Sequence, residues 1–416
     1  MDRRKFLGAA CLATAGVAVP GAVGDGATAL RAHDPWSGVR ALFSLEPDRV
    51  HLGGLFISSH PLPVREAIER HRRGLDADPV GYLFAHDTKE RLRVVEAAAD
   101  YWGTSSRCVA LTDSTTMGLS VLYQGMRLRP GDEIVRTEHD HYATWYNLDL
   151  KAAACGATVR AVRLHDGDAS QVRAEELVER IVAAVGPATR VLALTWVHSS
   201  TGLKLPVAAV AKELERRGLR DRVRLCVDGV HGFGAENADM DALGADFFVA
   251  GCHKWLHGPR GTGVVYAARP ELWEEIEPII PPFGVKKTEG LFRSPGGFHD
   301  FEHRWALAEA FELHRSIGKA RIAARIAELA GAVREGLAAI PRVRVRTPRD
   351  PALASGIVAF DVEGIHPDRA VERLRSEAKV IITRSPYGSR SLRASPGIYN
   401  TFAEIDRFLA AVRRIA

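Results

Sequence analysis

Val223-Arg224-Leu225-Cys226-Val227-Asp228-Gly229-Val230-His231-Gly232 is followed, one connection later, by Phe247-Phe248-Val249-Ala250-Gly251-Cys252-His253-Lys254-Trp255. Each stretch is a short apolar run that stops at a polar turn, the pattern of a strand buried on both faces. Asp228 and Lys254 therefore stand at two strand ends. Further runs of this kind read at 108–112, 133–137, 158–164, 191–197 and 263–267, with amphipathic helices between, such as 174–185 and 208–217. The alternation predicts an α/β fold built on a mostly parallel seven-stranded sheet with helices on both faces. Ligands gather at the carboxyl ends of the strands in such sheets, and the chemically suggestive residues fall there.

After a loop rich in Pro and Gly (281–297), the pattern changes to one long helical stretch, about 304–340. Short strands at 343–346, 356–362, 380–383 and 391–394 follow, then a helix at 402–415, which reads as a smaller α+β domain. The predicted boundaries are 30–59 for an N-terminal segment, 60–290 for the large cofactor-binding domain and 291–416 for the small C-terminal one. Ahead of these, Asp2-Arg3-Arg4-Lys5-Phe6-Leu7-Gly8 leads into a small-residue stretch ending at Ala27-Thr28-Ala29. A charged start, a short apolar core and an Ala-x-Ala-like end make 1–29 a twin-arginine-type signal peptide. The expected partner is the twin-arginine export machinery, with a periplasmic or other extracytoplasmic destination; a vestigial signal would leave the protein cytoplasmic. The apolar core is too short and Gly-rich for a stable membrane span.

Formal charge is +5 over 416 residues, with no basic run or interleaved aromatics, so nucleic acid is not an expected partner. Cysteines at 11, 108, 155, 226 and 252 form no C-x-x-C pair or zinc-like spacing, and no metal site is predicted. Cys226 and Cys252 read as small core residues. No G-x-G-x-x-G follows a strand and no P-loop occurs.

A buried lysine and a buried carboxylate delivered by neighbouring strand ends are what pyridoxal 5'-phosphate (PLP) chemistry requires. The amine forms the Schiff base, and the carboxylate keeps the ring nitrogen protonated so that the ring accepts electrons. The phosphate needs backbone N–H groups and hydroxyls at a helix N-terminus. Thr112-Asp113-Ser114-Thr115-Thr116-Met117-Gly118 joins a strand to a helix and supplies both, with Ser114 or Thr115 able to cap the helix as well.

The segment 227–234 together with Gly251-Cys252-His253-Lys254-Trp255-Leu256-His257-Gly258-Pro259-Arg260-Gly261-Thr262-Gly263 resembles class V of the fold-type I PLP-dependent enzymes, which includes cysteine desulfurases and isopenicillin-N-epimerase-like proteins. The resemblance implies that Lys254 is the Schiff-base lysine, Asp228 the partner of the ring nitrogen, and His231 a neighbour of the ring oxygen. It assigns Thr115, Thr116 and His253 to the phosphate. Relatives often carry Ser where this chain has Gly251, so one phosphate contact is lost or replaced. Thr262, in Gly261-Thr262-Gly263, would reach the partner subunit's phosphate, implying a homodimer with shared sites. In Thr137-Glu138-His139-Asp140-His141-Tyr142 the family spacing favours His139 over His141 as the ring-stacking, proton-moving histidine. Ser199 stands where relatives place an Asn, with His198 beside it as a departure. Arg393, in Leu392-Arg393-Ala394-Ser395-Pro396-Gly397, matches the arginine that holds the substrate carboxylate. Arg384 is a nearby second cation.

The resemblance implies an enzyme acting on a small-molecule substrate, an α-amino acid that serves as a specialised-metabolite precursor. Desulfuration needs a nucleophilic cysteine shortly before the carboxylate-binding arginine, and 383–392 contains none. Export, together with segments such as His51-Leu52-Gly53-Gly54-Leu55-Phe56, resembles an exported pyoverdine-tailoring enzyme and carboxamide-forming PLP monooxygenase-decarboxylases. The leading expectation is therefore oxidative decarboxylation with dioxygen as co-substrate. The alternative is an epimerase or C–S lyase acting on a modified amino acid without oxygen. A non-catalytic PLP-fold binding protein stands behind both.

Overall fold

The computed structural model describes residues 36–166, 168–387 and 390–416, and residues 36–416 form one compact unit. The proposed signal peptide lies outside the described residues. Seven strands make the main sheet: β1 Val109–Thr112, β2 Glu133–Thr137, β3 Thr158–Val162, β4 Thr189–Thr195, β5 Arg224–Asp228, β6 Phe247–Gly251 and β7 Gly263–Ala267. Their order is β1-β7-β6-β5-β4-β2-β3. Only β7 runs antiparallel to its neighbours, and the other pairings are parallel. The mostly parallel seven-stranded sheet expected from the alternation is therefore present.

Successive residues of a strand face opposite sides, and here both sides are dry. Leu225, Val227 and Phe248 join one core, which includes Trp102, Trp196, Phe233 and Tyr266. Cys226, Phe247 and Val249 join a second core with Leu119, Leu122, Tyr123 and Trp273. Strands buried on both faces need near-continuous apolar sequence, which is why these runs stood out. Cys226 and Cys252 are fully buried, as their apolar neighbours implied.

Parallel register aligns the strand ends. Thr195 pairs with Asp228, Asp228 with Val249, and Gly251 with Gly263, so the ends of β4, β5 and β6 share one edge. Ser114 caps α3 (Thr115–Gly125) by accepting from Met117 N–H at 3.1 Å, and this places the helix N-terminus at that edge. The preceding helices are α1 (Leu62–Ala77) and α2 (Pro79–Trp102), and α4 (Tyr142–Cys155) follows β2.

The second sheet contains β8 Val343–Val345, β9 Val358–Val362, β10 Thr383–Arg384 and β11 Leu392–Ala394, ordered β10-β11-β9-β8. Its core draws on Leu329, Val333 and Phe360, on Phe408 of the final helix Phe402–Ile415, and on Val50 and Leu52 from the N-terminal segment. Two expectations shift here. The long helix divides at Gly318 into Phe301–Ile317 and Lys319–Ala338, because Gly318 takes φ 99°, outside helical geometry. The cores also interleave along the chain: Leu307, Phe311 and Ile326, and later Leu353, Ile357 and Ile398, pack with the large-sheet core, while most of the second core lies from Leu329 onward.

The chain after β4 meets the chain just before β9 closely at Gly202, which has φ 74° and whose added Cβ would lie 2.1 Å from the Ile357 carbonyl oxygen. Gly202→Ala should cost at least about 1–3 kcal/mol and lower the calorimetric melting midpoint by several degrees. An unchanged midpoint would contradict this packing.

Candidate active site

A cavity of about 240 Å³ opens at the shared strand edge. Its walls include Ser114, Thr115 and Thr116 from the start of α3, Thr195 and Ser199 after β4, and Asp228 and His231 after β5. His253 and Lys254 follow β6, and His141 and Tyr387 complete the wall. The amine and the carboxylate singled out in the sequence thus face one chamber.

Asp228 is buried, and burial pushes its carboxyl up to about 6, against the hydrogen bond donated by Val230 N–H (3.2 Å) and the pull of Lys254. Burial lowers the Lys254 ammonium to about 8; Asp228 opposes that shift and Arg393 adds to it. Lys254 Nζ lies 3.3 Å from His231 Nε2. Burial and the positive charges of Lys254 and Arg393 keep His231 neutral, well below its ordinary value. His231 Nδ1 is buried and meets no hydrogen-bonding partner among the described residues. An unpaired buried polar atom beside a cavity marks a position that a polar ligand would satisfy.

At the helix end, Thr115 Oγ1 accepts from Gly251 N–H at 2.9 Å. A Cβ on Gly251 would lie 2.8 Å from that same hydroxyl and 3.0 Å from His253 Cε1. Thr115 therefore fills the space a side chain at 251 would need, which accounts for the departure noted in the sequence.

The histidine next to the cavity is His141, not His139. Asp140 pins the turn by accepting from Thr137 N–H (2.7 Å) and Thr195 N–H (2.9 Å). The flanking histidines therefore part to different sides. His141 caps α4 by accepting at Nδ1 from Ala143 N–H (3.1 Å), and it lines the cavity. His139 instead stacks on His165, with ring centroids 3.9 Å apart, and its Nε2 accepts from Leu164 N–H. His198 is fully buried beside that pair, 6.0 Å from the His139 ring, and is not among the residues lining the cavity. Thr262 is buried, with Oγ1 donating to the Pro259 carbonyl at 2.6 Å. Arg384 points to Asp368 in an ion pair rather than into the cavity.

Arg393 is not itself among the cavity-lining residues and meets the cavity wall through Ser199. Its guanidinium donates to Ser199 O (3.0 Å), Thr383 Oγ1 (3.2 Å) and Arg384 O (2.8 Å). All three acceptors are neutral, and burial lowers the group to about 10. Tyr387 was missed in the sequence; its hydroxyl shares a hydrogen bond with Ser199 Oγ, and burial raises the phenol to about 12.

Residues 84–408 match the aminotransferase class-V family model. The chain belongs to that family. It is 30% identical over 401 residues to isopenicillin N epimerase of Streptomyces clavuligerus, covering 91% of this chain and 97% of that protein. The Amycolatopsis lactamdurans isopenicillin N epimerase is 27% identical over 403 residues, covering 92% and 98%. A cysteine desulfurase of Serratia proteamaculans is 26% identical over 357 residues, covering 80% and 84%. Among solved structures, the cystine C–S lyase C-DES in complex with cysteine persulfide superposes with a TM-score of 0.79 at 24% identity, covering 88% of this chain and 98% of that one. That likeness establishes the fold-type I architecture.

This class V chain is a PLP-dependent enzyme, and the cavity fits the cofactor. Lys254 would hold the aldehyde carbon, Asp228 the ring nitrogen, and Ser114, Thr115, Thr116 and His253 the phosphate, with His141 beside the ring. An amine attacks an aldehyde only when unprotonated, and burial moves that condition down to about pH 8. PLP added to the apoprotein should therefore be captured at a rate that rises with pH through a midpoint near 8. Lys254→Ala should develop no visible absorbance band. A midpoint near that of an ordinary lysine would contradict the burial.

Proposed function

We propose that this enzyme breaks and remakes the Cα–H bond of an α-amino acid, as an epimerase-type catalyst on a modified amino acid or amino-acyl compound. The observation that carries the proposal is the buried Arg393 guanidinium, which meets three neutral acceptors and no carboxylate among the described residues. A buried cation is costly unless an anion joins it, and a bidentate fork suits a carboxylate. The substrate's α-carboxylate supplies that anion, and its Cα is then carried towards Lys254.

PLP, when bound, supplies the electron sink that makes a Cα proton removable. The chain's residues do the rest. Lys254 Nζ, with its basicity reduced by burial, accepts the proton, and neutral His231 at 3.3 Å holds the amine in place. Asp228 keeps the ring nitrogen charged. Kinship to the two isopenicillin N epimerases over almost their whole length favours epimerisation over other outcomes. No cysteine stands in 383–392, and the described cysteines do not line the cavity, so persulfide transfer lacks its nucleophile.

Oxygen-dependent decarboxylation, favoured from the sequence, rests on export and a short segment; no residue geometry adds to it. Twin-arginine export and a homodimer sharing its sites through 261–263 are part of the same proposal. Exposed Phe84, Phe283 and Phe298 provide the dimer with apolar surface. A monomeric mass in sedimentation would contradict the dimer, and retention in the cytoplasm on fractionation would contradict export.

Holoenzyme incubated with isopenicillin N and a panel of amino acids in D2O, under argon and under air, separates the reactions. The expected result is deuterium at Cα with inversion and an intact carboxyl group in both atmospheres. Carbon dioxide release only in air would replace epimerisation with the oxidative route, and no exchange with any compound would refute Cα–H chemistry.

A further inference from the structure

We propose that Tyr387 is a second proton-transfer residue of this site, delivering a proton to the substrate Cα independently of Lys254. The inference rests on the Cα–H chemistry proposed above and adds the residue that completes it. Inverting a carbon requires proton removal on one side and delivery on the other. A single acid–base pair cannot do both unless the carbon turns over within the cavity.

The cavity holds two separate proton-carrying pairs. One is Lys254 with His231, at the ends of β6 and β5. The other is Tyr387 with Ser199, whose hydroxyls share a hydrogen bond. No hydrogen bond joins the two pairs among the described residues. Among the described residues, Tyr387 is also the one cavity-lining residue contributed by the second sheet's chain segment, between β10 and β11. It approaches from an element unrelated to the strand ends that carry Lys254.

Its surroundings suit a neutral donor. Burial holds the phenol protonated up to about 12, and the charge of Arg393 favours its ionised form. Arg393 donates to the Ser199 carbonyl, which ties the carboxylate-binding cation to the hydroxyl pair. The His141 ring lies edge-on, 5.5 Å from the tyrosine ring, with its Nδ1 committed to the α4 cap.

The proton balance is simple. Lys254 Nζ gains the proton lost from Cα. The Tyr387 O–H bond breaks, its proton goes to Cα, and the phenolate left behind accepts a hydrogen bond from Ser199 Oγ–H. Loss of one proton from Nζ and uptake of one at the phenolate oxygen, both with solvent, restore the starting state. No oxidant or further reactant enters.

Glycine is the probe, because its two Cα hydrogens report the two sides separately and it makes no side-chain demands. PLP-loaded protein in D2O is followed by proton NMR, with isopenicillin N inversion measured in parallel. Wild type should exchange both glycine hydrogens. Tyr387→Phe should exchange only one and invert at least about 100-fold more slowly, with an unchanged visible cofactor band and circular dichroism. Ser199→Ala should keep two-sided exchange but slow the second hydrogen, and should shift the alkaline limb of the pH–rate profile. Two-sided exchange at the wild-type rate in Tyr387→Phe overturns the proposal while leaving the Cα–H reading intact, as does one-sided exchange in wild type. Absence of any exchange by wild type overturns both. Should Tyr387→Phe lose its cofactor band, Tyr387→Trp and Tyr387→Leu are measured in its place, and two-sided exchange in either refutes the role.

Discussion

The site depends on the burial of one acid and one amine at adjacent strand ends. Asp228 pairs in register with Val249, so the next turn of chain after β6 brings Lys254 back over the carboxylate's edge of the sheet. Neither charge is comfortable there: burial raises the acid to about 6 and lowers the amine to about 8. Each partly relieves the other, and a protonated ring nitrogen would relieve the acid further. Removing one partner leaves the other as an uncompensated buried charge, so the two act as a unit with whatever lies between them.

The remaining features serve that unit. The apolar runs that drive the sheet together also align its ends, which puts Thr195, Asp228 and Gly251 on one edge. The α3 N-terminus, capped by Ser114, gives the same edge unpaired N–H groups for an anion. Arg393 brings a third charge from the second sheet. Its three neutral acceptors hold the guanidinium in place without cancelling its charge, so it is preorganised for a carboxylate.

What the sequence made legible follows from range. Runs buried on both faces announce themselves, so the seven strands, Asp228, Lys254 and the helix start at Thr115 could be placed from local pattern alone. The histidines could not be sorted, because Asp140 reaches across to Thr195 N–H, 55 residues away, and that contact decides which neighbour turns inward. Tyr387 was invisible for a similar reason. It enters through a hydrogen bond to Ser199 spanning 188 residues, from a loop whose local pattern signals only a turn. Gly318 could have been read as a helix break, since a glycine inside a helical pattern is a known interruption. The apolar periodicity on both sides of it masked the signal.

The relation between Asp228 and the cofactor ring is the most direct point of test. Protein loaded with 15N-labelled PLP reports the ring nitrogen's protonation through its chemical shift. The ring nitrogen should be protonated in wild type from pH 7 to pH 9, and deprotonated over that range in Asp228→Asn. The same shift in both proteins would mean that Asp228 does not face the ring, and the arrangement described would be wrong.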